Sequence, residues 1–187
     1  MKSTFFKIFI GLLVVLIFFF FDACSHHSPG NRLSNHQIVK TGKQLGMKYD
    51  MKISFLGGGE TKDRKIRLIT VGFTRNGKPL TIEEGRKIIV DCTETFLTDI
   101  NNNDKLRPFL SVYPFTVEKL NVTIMNEDDK GNFIAEPFLA TISQLEGKVY
   151  YRTQDPENEY KFKSKISESY DEAVAILKKE KENSKSN

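Results

Sequence analysis

Histidine and cysteine are the side chains most often used for nucleophilic catalysis and zinc binding, and this chain of 187 residues has three histidines and two cysteines. The histidines are His26, His27 and His36, and all three precede the segments whose patterns predict strands and long helices. Triad-type nucleophiles are activated by histidine, and many zinc sites use it as a ligand. The sequence therefore predicts a folded domain without Ser-His-Asp chemistry, Cys-His chemistry or a His-ligated zinc site.

Cys92 lies between Ile89 and Phe96, at the spacing of apolar residues on one face of a helix. A reactive cysteine needs exposure and a lowered pKa, whereas a cysteine on an apolar helix face is usually buried. We expect Cys92 to be a core residue and not a nucleophile.

Carboxylates are plentiful, and they leave a second chemistry open. Acidic residues cluster at Glu83-Glu84, at Glu127-Asp128-Asp129 and at Glu157-Asn158-Glu159, each at a predicted turn or helix start. Two carboxylates can hydrolyse a glycosidic bond, but only their separation in space tests that role. The Asp128-Asp129 loop lacks the EF-hand spacing, so we expect a solvated turn and predict neither a metal nor a cofactor.

The segment Arg107–Phe115 combines two prolines with several large apolar side chains. Proline prevents regular helix here, yet the apolar side chains need cover. One interpretation is a rigid crossover whose aromatic residues cap the core. The other is a ligand groove with Arg107, Tyr113 and Phe115 at its mouth, because arginine and aromatic residues are common in recognition surfaces.

Three consecutive glycines, Gly57 to Gly59, lie between two strand-like segments. The phosphate-loop pattern G-x-x-x-x-G-K-[ST] is absent, and no helix follows directly. We expect these glycines to form the loop of a hairpin, where glycine accepts positive φ angles.

The N-terminal residues have the pattern of an export signal. Lys2 and Lys7 flank the start of an apolar run from Ile8 to Phe21, which is too short to span a bilayer comfortably. Phe21-Asp22-Ala23-Cys24 follows, and it resembles the lipobox of bacterial lipoprotein precursors, although Phe21 and Asp22 replace the usual leucine and small residue. The resemblance implies that residues 1–23 are a signal peptide and that Cys24 is acylated and anchors the chain to a lipid bilayer. An uncleaved peptide anchor and cleavage without lipid are the alternatives.

Residues 24–48 are rich in Ser, His, Asn, Gly and Lys, so we expect a lipidated N-terminus followed by a flexible tether. Within it, Gln37 to Leu45 could form only a short helix. The formal net charge of the whole chain is +4, and basic and acidic residues alternate without a single-sign block. This pattern argues against a nucleic-acid partner.

Residues 49–179 are predicted to form one α+β domain, followed by a frayed charged tail at 180–187. Alternating patterns predict five strands, at Tyr49–Phe55, Ile66–Phe73, Val117–Met125, Phe138–Leu145 and Lys148–Thr153. Capping boxes at Thr81-x-x-Glu84 and Ser169-x-x-Glu172 predict the starts of two helices. The order β-β-α-β-β-β-α favours an antiparallel sheet of about five strands, with one long helix on a face and a C-terminal helix.

These patterns predict a non-catalytic, membrane-tethered module of the bacterial cell envelope. Its partner would be an envelope protein or a cell-wall polymer. A hydrolase of the envelope that uses a carboxylate pair is the alternative.

Overall fold

The computed structural model describes residues 28–184, which fold into three helices and a six-stranded sheet. The helices are α1 (Pro29–Tyr49), α2 (Ile82–Asn101) and α3 (Tyr170–Asn183). The strands are β1 (Met51–Glu60), β2 (Ile66–Arg75), β3 (Leu120–Asn126), β4 (Thr141–Leu145), β5 (Lys148–Asp155) and β6 (Asn158–Ser169). Short 3₁₀ turns occupy Arg107–Phe109 and Val117–Lys119. The α+β class predicted from the sequence is confirmed, with one strand more than expected.

The strands lie in the order β1-β2-β3-β4-β5-β6, so the sheet follows the chain from one edge to the other. Neighbouring strands are antiparallel except β2 and β3, which run parallel with Ile69 opposite Leu120. Parallel neighbours need a long connection, which α2 and the crossover after it provide. The sheet is therefore mixed, and the prediction of a wholly antiparallel sheet was wrong at this pair.

Both predicted capping boxes are present. The Thr81 hydroxyl accepts from the Glu84 amide at 3.3 Å, and the Glu84 carboxylate accepts from the Thr81 amide at 2.9 Å. Ser169 and Glu172 form the same pair of bonds at the start of α3. Because these bonds satisfy backbone donors that have no partner inside the helix, they fix where α2 and α3 begin.

The core lies between one face of the sheet and the helical layer. The apolar face of α2 is buried as its spacing predicted, with Ile89, Cys92, Phe96 and Ile100 all 0 % exposed. α1 packs over β1 and β2, α2 over β3 and β4, and α3 against β5 and β6. Two long helices therefore cover the sheet, where the sequence predicted one.

The extra helix is α1, and it corrects the predicted tether from Pro29 onward. Ser28 caps it, Pro29 occupies its first turn, and Ile38 and Leu45 are 2 % and 3 % exposed in the core. Most of its other buried residues are small or polar, so the segment has little of the apolar periodicity that predicts a helix. Glycine allows the close approach: a Cβ on Gly42 would lie 2.6 Å from the Ile53 side chain.

Three further features differ from the sequence prediction. The three glycines belong to β1, where Gly57 to Gly59 pair with β2, and the hairpin turn follows at residues 61–65. β6 was not predicted, because alternating lysines reduce the hydrophobicity of this edge strand. α3 also continues to Asn183, beyond residue 179 where the sequence predicted the end of the domain.

Candidate functional site

The crossover between α2 and β3 brings Arg107 and Tyr113 together on the surface. The guanidinium carbon of Arg107 lies 4.5 Å from the centroid of the Tyr113 ring, a cation–π geometry. Arg107 Nη2 also forms an ion pair with Asp104 Oδ1 at 2.8 Å. The two side chains are 49 % and 48 % exposed, so both are available to a partner.

Phe115, the third residue predicted for this surface, belongs to the core. Its side chain is 2 % exposed, so it does not lie at the mouth of a groove. The Asn101 side chain fixes its backbone, since Asn101 Oδ1 accepts from the Phe115 amide at 2.6 Å and Nδ2 donates to its carbonyl at 3.0 Å. The two interpretations of the segment therefore each describe one part of it: Phe115 covers the core, and Arg107 and Tyr113 face solvent.

The crossover is held against three neighbouring elements. The Tyr113 hydroxyl donates to the Asn101 carbonyl at the end of α2, at 3.2 Å. The Ser111 amide donates to the Ile66 carbonyl of β2 at 3.0 Å, and Lys65 Nζ donates to the Pro108 carbonyl. Phe109 packs against Gly30 of α1, where a Cβ would lie 2.8 Å from the phenylalanine Cβ. These contacts fix the backbone that carries Arg107 and Tyr113.

A second surface feature lies along β1, where sequence reasoning placed only a turn. Two clefts follow the boundary between α1 and β1. One, of about 320 Å³, lies between Asn31, Ser34 and Asn35 of α1 and two strands, residues 56–60 of β1 and Ile66, Leu68 and Ile69 of β2. The other, of about 760 Å³, lies between Val39 to Met47 of α1 and the strand residues 51–53. The glycine run was the sequence signal for this feature, because glycine inside a strand often marks the close approach of another backbone.

The acidic clusters serve turns, caps and ion pairs. Asp128 Oδ1 accepts from the Lys130 and Asn132 amides at 2.8 and 2.9 Å, and these bonds contribute to a lowered pKa for its carboxyl group. The ion pair between Lys163 Nζ and Glu136 Oε2, at 2.7 Å, likewise lowers the pKa of the Glu136 carboxyl group. A general acid needs a raised pKa, whereas the carboxyl groups with a shifted pKa among the described side chains all have a lowered one.

One carboxylate is held inside the domain. Glu168 of β6 accepts from Arg86 Nε of α2 at 2.8 Å, and it also accepts from the Tyr151 hydroxyl. Burial of Tyr151 raises the pKa of its hydroxyl, and the bond to Glu168 adds to this shift. With these partners the largely buried carboxylate is satisfied, and it joins α2 to the edge of the sheet.

Two of the side chains that sequence analysis weighed for nucleophilic or metal chemistry, Cys92 and His36, lie among the described residues. Cys92 is fully buried, and this burial raises the pKa of its thiol, as for an unreactive core cysteine. His36 is exposed on α1 and is therefore part of the folded domain, not of a tether. Within residues 28–184, no group of three or more His, Cys, Asp or Glu side chains is arranged to hold a metal ion.

The predicted signal peptide, Cys24, His26 and His27 lie outside the described residues. Between residues 28 and 184, no helix combines the length and the apolar character needed to cross a membrane. No protein-family model, curated protein or solved structure matches the chain.

Proposed function

We propose that the chain is a lipoprotein of the bacterial cell envelope, tethered through an acylated Cys24, and that its domain is a non-catalytic binding module. Its binding surface is centred on Arg107 and Tyr113, and its partner is an envelope protein or a cell-wall polymer. The observation that carries the proposal is the exposed stack of these two side chains on a crossover fixed from three sides.

Preorganisation is what makes this pair suitable for recognition. Immobilising a flexible side chain at an interface costs about 0.5–1.5 kcal/mol, and a side chain already held in place avoids part of that cost. Arg107 is held by Asp104 and by the Tyr113 ring, and Tyr113 is held by its bond to Asn101. Arginine and tyrosine are also the residue types that contribute most binding energy at protein interfaces.

The exposed groups around the stack offer both polar and apolar contacts. Arginine has five N–H donors, and the ion pair of Arg107 with Asp104 is formed through Nη2. The remaining donors suit carbonyl or carboxylate oxygens, which proteins and wall peptides both present. Val112, 39 % exposed beside Tyr113, adds apolar area to the same surface.

Photo-cross-linking in intact cells tests this proposal. A benzophenone amino acid in place of Val112 should form a discrete adduct with the partner, and Arg107→Ala in the same chain should reduce that adduct strongly. Ala175, exposed on α3 where that helix packs against β5 and β6, is the matched control position and should give no such adduct. The same adduct from both positions, or an adduct unaffected by Arg107→Ala, would contradict the proposed surface.

A further inference from the structure

The two edges of the sheet are protected very differently. β6 carries exposed lysines at 161, 163 and 165, and lysine on an edge strand discourages pairing with another chain. β1 forms the other edge, and it has no charged side chain between Lys52 and Glu60. An uncharged edge is a template for an additional strand.

The middle of β1 is open to solvent. Residues 54–58 are all exposed, and Phe55 and Leu56 are 41 % and 37 % exposed in spite of their apolar side chains. Among the described residues, no backbone group from Lys52 to Gly59 hydrogen-bonds outside the ladder with β2. The outward N–H and C=O groups of this edge are therefore available to another backbone.

The clefts beside α1 lie on the same face of the sheet as alternate side chains of an added strand would. Ile53, Leu56 and Gly58 are opposite Phe73, Val71 and Ile69, which are buried under the helices. These β1 positions share the face that α1 covers, and a neighbouring strand would place alternate side chains on the same face. The cleft near Gly58 is lined on its helix side by amides and a hydroxyl, and the cleft near Ile53 is more apolar.

The fold itself requires only part of the glycine run. A Cβ on Gly58 would lie 2.5 Å from the Leu68 carbonyl oxygen, so glycine is needed there for pairing with β2. A Cβ on Gly57 would meet only the Thr70 Cβ, at an ordinary 3.9 Å. Packing therefore does not explain glycine at position 57, whereas the close approach of an added strand would.

We propose that β1 binds an extended, uncharged segment of a partner polypeptide by strand addition. The segment runs antiparallel to β1, the slightly more stable pairing, so that its first half lies opposite Leu56 to Gly59 and its second half opposite Met51 to Ile53. It places a small polar side chain in the cleft beside Asn35 and an apolar side chain in the cleft beside Met47. This inference stands independently of the Arg107–Tyr113 surface.

A second copy of the chain fits this edge less well. Antiparallel pairing of two β1 strands about a two-fold axis would place the polar cleft of one copy beside the apolar cleft of the other. It would also bring the two α1 helices onto the same face. Adjacent strands are about 4.8 Å apart, whereas packed helices need roughly 8–10 Å between their axes. Since α1 packs directly over β1, a single added strand is accommodated better than a second domain.

An array of acetylated decapeptides made only of uncharged residues tests the proposal with the detergent-solubilised full-length chain. The selected peptides should share a small polar residue in the first half and an apolar residue in the second half. Fluorescence anisotropy of the best peptide should show at least tenfold weaker binding to Gly57→Lys. Ala175→Lys, which adds the same charge on α3, should bind like the wild type.

An ester scan of the same peptide uses the wild-type chain, so it does not depend on the folding of any variant. Replacing one amide by an ester removes one N–H donor, which should weaken binding about two- to tenfold at alternate positions and little at those between. Three results would overturn the proposal. The loss of affinity in the ester scan could lack a period of two, the peptide could bind Gly57→Lys as tightly as the wild type, or no peptide in the array could bind with a Kd below about 1 mM. A dimer in sedimentation velocity that Gly57→Lys abolishes would also overturn it, in favour of self-pairing.

Discussion

The fully buried ring of Phe96 allows the packing of α2 on the sheet to be tested quantitatively. Phe96 is 0 % exposed, and its ring centroid lies 6.1 Å from that of Phe73 on β2. Phe96→Ala removes this contact and leaves a cavity, which should lower the unfolding free energy by about 3–5 kcal/mol. For a chain of this size each kcal/mol lowers Tm by about 2–4 °C, so we expect a decrease of about 6–20 °C.

The matched control is Thr98→Ala, two residues along the same helix and exposed to solvent. Its unfolding free energy should stay within about 0.5 kcal/mol of the wild type. Thermal and urea unfolding, followed by circular dichroism, would measure both variants. Equal Tm values for Phe96→Ala and Thr98→Ala would refute the assignment of the buried face of α2.

Two further predictions concern α1 and the core thiol. Thr41→Val should lower the unfolding free energy by about 1–3 kcal/mol in urea titration, because Thr41 is fully buried and its hydroxyl donates to Asp99 Oδ2 at 2.5 Å. His36→Ala, a substitution at an exposed position of the same helix, should have little effect. Equal urea midpoints for the two variants would show that α1 is not docked as described. Burial raises the pKa of Cys92, so the native thiol stays protonated above pH 8.5 or so, where the unfolded thiol ionises. The stability of the wild type should therefore fall relative to Cys92→Ala by about 1.4 kcal/mol per pH unit above that value, and a difference that stays constant from pH 7 to 10 would argue against burial of the thiol.

The elements that the sequence predicted well are those with strong local signals. α2 has both a capping box and a continuous apolar face from Ile89 to Ile100, and both are present in the structure. The capping box of α3 at Ser169 was equally informative. Such signals depend on residues three or four positions apart, so the sequence alone contains them.

The elements that were missed depend on contacts between distant segments. The buried face of α1 includes Gly30, Ser34, Thr41 and Gly42, whose burial becomes favourable only because distant segments, among them β1, α2 and the crossover, lie beside the helix. The parallel pairing of β2 with β3 is likewise a property of the whole sheet and has no local signature.

The sequence predicted only part of the candidate surface, because the exposure of its side chains also depends on contacts between distant segments. The prolines showed that Arg107–Phe115 is an irregular crossover, but alternation cannot tell which of its aromatic residues faces the core when the backbone is irregular. Tyr113 is exposed, with its hydroxyl bonded to the end of α2, and Phe115 is buried, with its backbone held by Asn101. The clefts along β1 were not predicted, because their helical side was expected to be a tether and the glycine run was interpreted as a turn.

The proposed role in the envelope depends most directly on acylation of Cys24. Metabolic labelling of a bacterial host with a clickable fatty acid, followed by gel electrophoresis, measures it for the wild type and for Cys24→Ala. We predict a labelled wild-type chain that is shorter than its precursor by the signal peptide, and an unlabelled Cys24→Ala chain that retains the uncut signal. An unlabelled wild type, or equal label on both chains, would contradict the lipoprotein assignment.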